Sequence, residues 1–173
     1  MNKQEIINSI RNVPNFPKKG IQFKDITTLL DDPQLFSHTI DIFYREFKDS
    51  NIDAIVGIES RGFIFAAPLA IKLNCSMILA RKPGKLPCET ISEKYSLEYG
   101  DDVMEMHLDS IKENSNVIIM DDLLATGGTA KSVCNMVTKL KGKIHAAAFL
   151  IELKDLNGKK MIPANKIFSI MEF

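Results

Sequence analysis

Four short, unbroken apolar runs set the frame of this chain: Asp53–Ile58, Ser76–Ala80, Asn116–Met120 and Ile144–Ile151. Each has strand length, and none alternates with polar residues, so each is expected to be buried on both faces. Segments of helical character lie between them. Asp32-Pro33 supplies an N-cap followed by proline at the first helical position. Behind it Phe36, Ile40, Phe43 and Phe47 recur at helical spacing as a core stripe. A small-residue helix is expected to run to about Leu73, and another from Gly127 to Leu140. Buried strands alternating with helices predict an α/β fold: a mainly parallel, twisted sheet with helices on both faces. Ligands of such sheets bind at the carboxyl ends of the strands, where loops enter helix N-termini.

The 173 residues suit one domain spanning 1–173. Lys+Arg and Asp+Glu both number 22, so there is no basic excess of the kind that nucleic-acid binding needs. Three cysteines, Cys75, Cys88 and Cys134, with no Cys-x-x-Cys spacing, argue against a disulfide framework or a zinc site and suit a reducing, cytoplasmic setting. His38, His107 and His145 lie apart, without metal-ligand spacing. No apolar run approaches the ~18 residues of a membrane span, and the longest candidate, Phe63–Ile71, contains Pro68. Met1–Arg11 reads as a short amphipathic helix rather than a signal peptide. Pro14, Pro17 and Gly20 then mark a loop.

The segment from Val117 to Thr129 carries the most chemistry. An apolar strand delivers Asp121 and Asp122, then turns through Gly127 and Gly128 into a helix. The glycines permit positive φ and close approach to a ligand. The amides of Ala125, Thr126, Gly127, Gly128 and Thr129 would sit at a helix N-terminus, where orphan donors and the helix dipole favour phosphate. No lysine follows the second glycine, so this is not a Walker loop, and it is not a dinucleotide fingerprint. Two carboxylates beside a phosphate require something to offset repulsion. A ribose diol offers donors and Mg²⁺ offers charge, so a sugar phosphate satisfies both features. Glu59-Ser60-Arg61-Gly62 also follows a strand and opens a helix, giving a second anion site in which Arg61 can make forked contacts. Arg81, Lys82 and Lys85 form a cationic cluster. It leads into residues 81–108, which have no helical period; Tyr95–Tyr99 and Val103–Leu108 are expected to pair as strands around Gly100-Asp101-Asp102.

The run Asp121-Asp122-Leu123-Leu124-Ala125-Thr126-Gly127-Gly128-Thr129 resembles the phosphoribosyl pyrophosphate (PRPP) signature of the type I phosphoribosyltransferases, and most closely that of their adenine-specific members. Phe23–Ile26, Glu59–Phe63, and Arg81–Pro87 with Tyr95–Gly100 match the same family in order and spacing. The resemblance spans essentially the whole chain. It implies the type I fold, with a small N-terminal hood over residues 1–30 that binds the base and a flexible catalytic loop or hairpin lid over 81–108. It implies a purine salvage enzyme that converts PRPP and adenine into AMP and pyrophosphate with Mg²⁺. It further implies a homodimer with shared active sites, in which Arg81 and Lys85 reach the neighbouring subunit's pyrophosphate.

On the same resemblance, Glu98 exchanges a proton with the purine, Asp121 and Asp122 hold the ribose directly or through metal-bound water, and the turn 125–129 anchors the 5′-phosphate. Glu59, Ser60, Arg61, Arg81, Lys82 and Lys85 attend the pyrophosphate. Gln22, Phe23 and Lys24, with Arg61 and Leu123, surround adenine; Phe23 and Leu123 could equally be core residues. Read alone, Glu98 is an ordinary exposed strand residue. The chain departs from the family pattern where Lys24 replaces a common arginine and Cys88 a usual glycine, which bears on affinity and loop closure. Two alternatives follow from the same motifs: a transferase for hypoxanthine, guanine, xanthine or orotate, and a PRPP-sensing regulator similar to the purine repressors.

Overall fold

The computed structural model describes residues 3–97 and 100–173; side chains are described outside 96–100. Five parallel strands form the central sheet: β3 (Ala54–Ile58), β4 (Ser76–Ala80), β7 (Asn116–Leu124), β8 (Lys143–Glu152) and β9 (Ile167–Glu172), in the order β4-β3-β7-β8-β9. Their period of two divides the core into two layers. Ile55, Ile118 and Ala148 meet α3 (Pro33–Phe47) and α4 (Arg61–Leu73) on one face. Val56, Ile119 and Phe149 meet α5 (Gly128–Lys139) on the other. The expected fold class, with helices on both faces, is therefore observed.

Local chemistry sets the element ends. Asp32 accepts hydrogen bonds from the N–H groups of Gln34 and Leu35, and Pro33 opens α3, as its sequence predicts. Ile40, Phe43 and Phe47 are buried, and Phe36 packs edge-to-face on Phe65 at 6.0 Å. Asn74 adopts the left-handed conformation and ends α4.

Several regions differ from expectation, and β4, expected to be buried, is an edge strand with Ser76 and Leu79 exposed. The N-terminal helix, α1 (Lys3–Ser9), stops short of Arg11, and β1 (Arg11–Pro14) pairs antiparallel with β2 (Gln22–Asp25), followed by α2 (Thr27–Leu30). These strands are short and contain no buried residue, so no apolar alternation announces them. β9 adds a fifth strand, and in it only Ile170 and Met171 are buried. Residues 81–108 form a longer hairpin than expected: β5 (Thr90–Leu97) and β6 (Gly100–His107) pair with Leu97 opposite Gly100. Asp101 and Asp102 are thus strand residues rather than turn residues. Met104 and Met106 of β6 anchor the hairpin in the α5-side core.

Candidate functional site

β7 does not end at Met120, as its apolar run suggests, but continues through Asp121 and Asp122 to Leu124. Asp121 pairs in register with Phe149, and Leu124 with Glu152, so both carboxylates stand at the carboxyl end of the sheet. They open into a cavity of about 280 Å³ that also receives Glu59, Ser60 and Arg61 from the β3–α4 junction, together with Lys82, Leu123 and Thr129. Segments more than sixty residues apart in sequence thus converge on one space.

Electrostatics divides this cavity. Asp122 is buried, and its Oδ2 lies 2.9 Å from Arg61 Nε. The approach is off the N–H axis, so that oxygen forms an ion pair while accepting no directed hydrogen bond. The Asp122 N–H donates to Asp121 Oδ1 at 2.8 Å. Burial, and then the adjacent Asp122 carboxylate, push the Asp121 carboxyl well above its ordinary range. Burial also raises Asp122, against the pull of Arg61. A buried carboxylate oxygen with no directed partner, beside a second carboxylate, is suited to a donor hydroxyl or a hard cation. Among the described residues there is no cluster of three or more His, Cys, Asp or Glu able to hold a metal unaided.

At the opposite wall the charges are already paired. The Arg81 guanidinium forks onto Glu59, with Nε at 3.2 Å from Oε2 and Nη2 at 3.1 Å from Oε1. The Lys82 N–H donates to Glu59 Oε2 at 2.8 Å. Burial opposes the Glu59 charge, but these bonds outweigh it and hold the carboxyl below its usual range. The Lys82 ammonium donates to Tyr95 Oη at 3.0 Å and to Asp102. Burial opposes the Lys82 charge too, but its partners outweigh it and raise its pKa; the Lys82 bond, against burial, lowers that of Asp102. The Glu59–Ser60 peptide is cis.

Beyond Asp121 the chain enters an adjoining cavity of about 150 Å³ lined by Leu123, Leu124 and the turn Ala125–Thr129. Gly127 has φ +86°, the positive value expected of it, whereas Gly128 opens α5 without one. A Cβ on Gly127 would lie 2.5 Å from the carbonyl oxygen of Gly158, so only glycine fits.

The base residues are less gathered than expected. Phe23 and Arg61 share a separate, largely apolar cavity of about 400 Å³ with Val13, Phe16 and Ile26, and the Arg61 guanidinium stands 5.2 Å over the Phe23 ring. Arg61 therefore borders both this cavity and the carboxylate cavity. Leu123 lines the latter. Gln22 is exposed and its Oε1 accepts from Asn12, while the Lys24 ammonium lies 3.9 Å over the Phe173 ring; neither lines this cavity. Lys85 is exposed and its carbonyl accepts from Arg81 at 3.1 Å. Glu98 lies outside the described residues. Sequence reasoning missed Tyr95 and Asp102, which the hairpin register sets opposite each other.

With this geometry in place, likeness to known proteins is informative. A model of the phosphoribosyl transferase domain matches residues 25–171. The adenine phosphoribosyltransferase of Actinobacillus pleuropneumoniae serotype 5b (strain L20) is 50% identical over 176 residues, covering 100% of this chain and 98% of the relative. Among solved structures, the adenine phosphoribosyltransferase of Thermoanaerobacter pseudethanolicus superposes with a TM-score of 0.96 at 44% identity, covering 99% of this chain and 100% of that one. The Saccharomyces cerevisiae enzyme, solved with an imino-altritol bisphosphate and adenine, gives 0.92 at 38% identity, with 97% of each chain covered.

Proposed function

Because the chain belongs to the phosphoribosyltransferase family, we propose that its carboxylate cavity is the site where the phosphoribosyl group of PRPP passes to adenine, giving AMP and pyrophosphate. The protein is a purine salvage transferase of the pentosyl-transferring class, and its full-length relatives are named adenine phosphoribosyltransferase. The observation that carries the site assignment is the convergence of Asp121 and Asp122 with Arg61 and Glu59 on one cavity, next to the glycine turn that opens α5.

The residues divide the work. The turn 125–129 holds the 5′-phosphate with its amides at the start of α5 and the hydroxyls of Thr126 and Thr129. Asp121 and Asp122 accept from the ribose hydroxyls. Adenine N9 bonds to the anomeric carbon as the bond from that carbon to pyrophosphate breaks, with both electrons leaving on the pyrophosphate oxygen. Arg61, Lys82 and Arg81 stabilise that departing charge. Glu98 accepts a proton from the purine, a step of a kind worth ~10²–10⁴ in rate. Phe23 and Arg61 wall the base pocket, with Gln22, Lys24 and Leu123 nearby. The hairpin of β5 and β6 excludes water, which would otherwise hydrolyse the sugar.

Asp121 and Asp122 fit Mg²⁺, being oxygen donors with one buried oxygen lacking a directed partner. The ion, carried mainly by PRPP, would offset the charge of pyrophosphate. The functional unit is a homodimer in which Arg81 and Lys85 also serve the neighbouring site. Free Cys75, Cys88 and Cys134 support a cytoplasmic setting; among the described residues no helix is long and apolar enough to cross a membrane.

A base panel with PRPP and Mg²⁺ tests the assignment. Adenine should release pyrophosphate, and hypoxanthine, guanine and xanthine should release far less; the reverse ranking overturns the adenine reading. In the same assay Glu98→Ala should lower turnover by ~10²-fold or more while PRPP binding by calorimetry stays near wild type. An equal loss of PRPP affinity would remove the proton-transfer role.

A further inference from the structure

We infer that Gly158, which lies outside every motif of the site, is a positioning residue for the 5′-phosphate turn, its backbone forming the rear wall against which Ala125–Gly127 is pressed. The inference rests on the reading of that turn given above. It starts from an anomaly of burial: Lys154–Asn157 are exposed, yet Gly158 is buried. A Cβ built on Gly158 would stand 2.2 Å from the carbonyl oxygen of Ala125, 2.9 Å from Leu124 Cδ1 and 3.0 Å from the amide nitrogen of Gly127. A Cβ on Gly127 would in turn meet the Gly158 oxygen at 2.5 Å. The two backbones are in reciprocal contact, and neither can carry a methyl group.

The rear wall has side-chain ties that the turn it supports lacks. Lys159, the next residue, places its ammonium 2.5 Å from Oε2 of the buried Glu152 and 3.6 Å from Oε1 of Glu172, tying the segment to the ends of β8 and β9. Ile162 closes the far side in the core. The turn opposite consists of an alanine, an exposed threonine and glycines, with no side chain to fix it. Crowding at this contact is therefore relieved by displacement of Ala125–Gly127, the backbone that must present its amides to phosphate. A displacement near 1 Å can cost on the order of 100-fold when positioning carries the binding.

The predicted signature is a split between ligands. In Gly158→Ala, the KM for PRPP and the dissociation constants for AMP and ribose 5-phosphate should rise ~10–100-fold. The KM for adenine and the affinity for inorganic pyrophosphate should stay within about twofold of wild type, since neither ligand carries a 5′-phosphate. Weakening of all five ligands together, or unchanged binding of ribose 5-phosphate by a folded variant, overturns the inference. If circular dichroism finds Gly158→Ala unfolded, the double variant Glu152→Gln/Lys159→Met unhooks the wall without adding bulk. It should weaken ribose 5-phosphate ~3–10-fold with the same split, whereas Lys159→Arg should retain wild-type affinity. Unchanged affinity in the double variant overturns the inference. Failure of wild-type protein to bind ribose 5-phosphate or AMP would instead overturn the reading of the turn itself, and Gly158's role with it.

Discussion

The two sides of the site are built on opposite principles. At the turn 125–129, recognition is assembled from backbone: a left-handed Gly127, the start of α5, and a neighbouring chain pressed close behind. At the wall formed by Glu59, Arg81 and Lys82, it is assembled from long charged side chains, each already engaged by a partner from the same chain. The first end is preorganised and has little to rearrange when an anion arrives. Under the proposed function the second exchanges internal partners for ligand, so its affinity is a difference between two sets of ion pairs.

The largest effect should come from the backbone end. Gly127→Val meets both a positive φ and the carbonyl of Gly158, and should reduce kcat/KM for PRPP by on the order of 100-fold or more, read in steady-state assays at several PRPP concentrations. Because no charge is altered, added salt should leave that loss unchanged.

A middle-sized effect should separate the two ends by acid. Glu59 and Asp102 have lowered carboxyl pKa values in the folded protein, so their stabilising contribution is present above the ordinary carboxylate range and lost as pH falls through the depressed values. Asp121 and Asp122 are shifted the other way, and their contribution is largest at low pH and lost as pH rises through their elevated values. Acidification into that depressed range should therefore lower amide protection factors, taken relative to the intrinsic exchange rate at each pH, in β5 and β6 before it does so in β7. Simultaneous loosening of all three strands would break the comparison.

The smallest effect should come from Asp102→Asn, which releases Lys82 from a partly exposed ion pair. The KM for PRPP should fall about two- to threefold in low-salt buffer, and the difference should shrink as ionic strength rises. A rise in KM would mean that Asp102 aids the ligand rather than competing with it.

The same contrast explains what the sequence could convey. The apolar runs around Ile55, Ile118 and Ala147 predict strands because burial on both faces leaves a compositional trace. The Asp121–Thr129 segment is legible because its carboxylates, glycines and helix start are contiguous. Tyr95 and Asp102 were not legible, since their meeting with Lys82 depends on a cross-strand register that no local pattern encodes. β1 and β2 leave no such trace, because four-residue strands without a buried position carry no hydrophobic period. Gly158 carries no local signal, because the backbone it touches is about thirty residues earlier in the chain.

Arg81 occupies a peculiar position between these regions. Its main chain exchanges hydrogen bonds with Glu105 at 2.9 and 2.8 Å, an isolated bridge that joins the β5–β6 hairpin to the end of β4, while its side chain reaches Glu59 in the cavity. Pivot and hand are thus a single residue: under the proposed function, whatever draws the guanidinium off Glu59 also pulls on one of the joints that hold the hairpin, so departure of the product and movement of the hairpin would be geared to each other rather than timed separately.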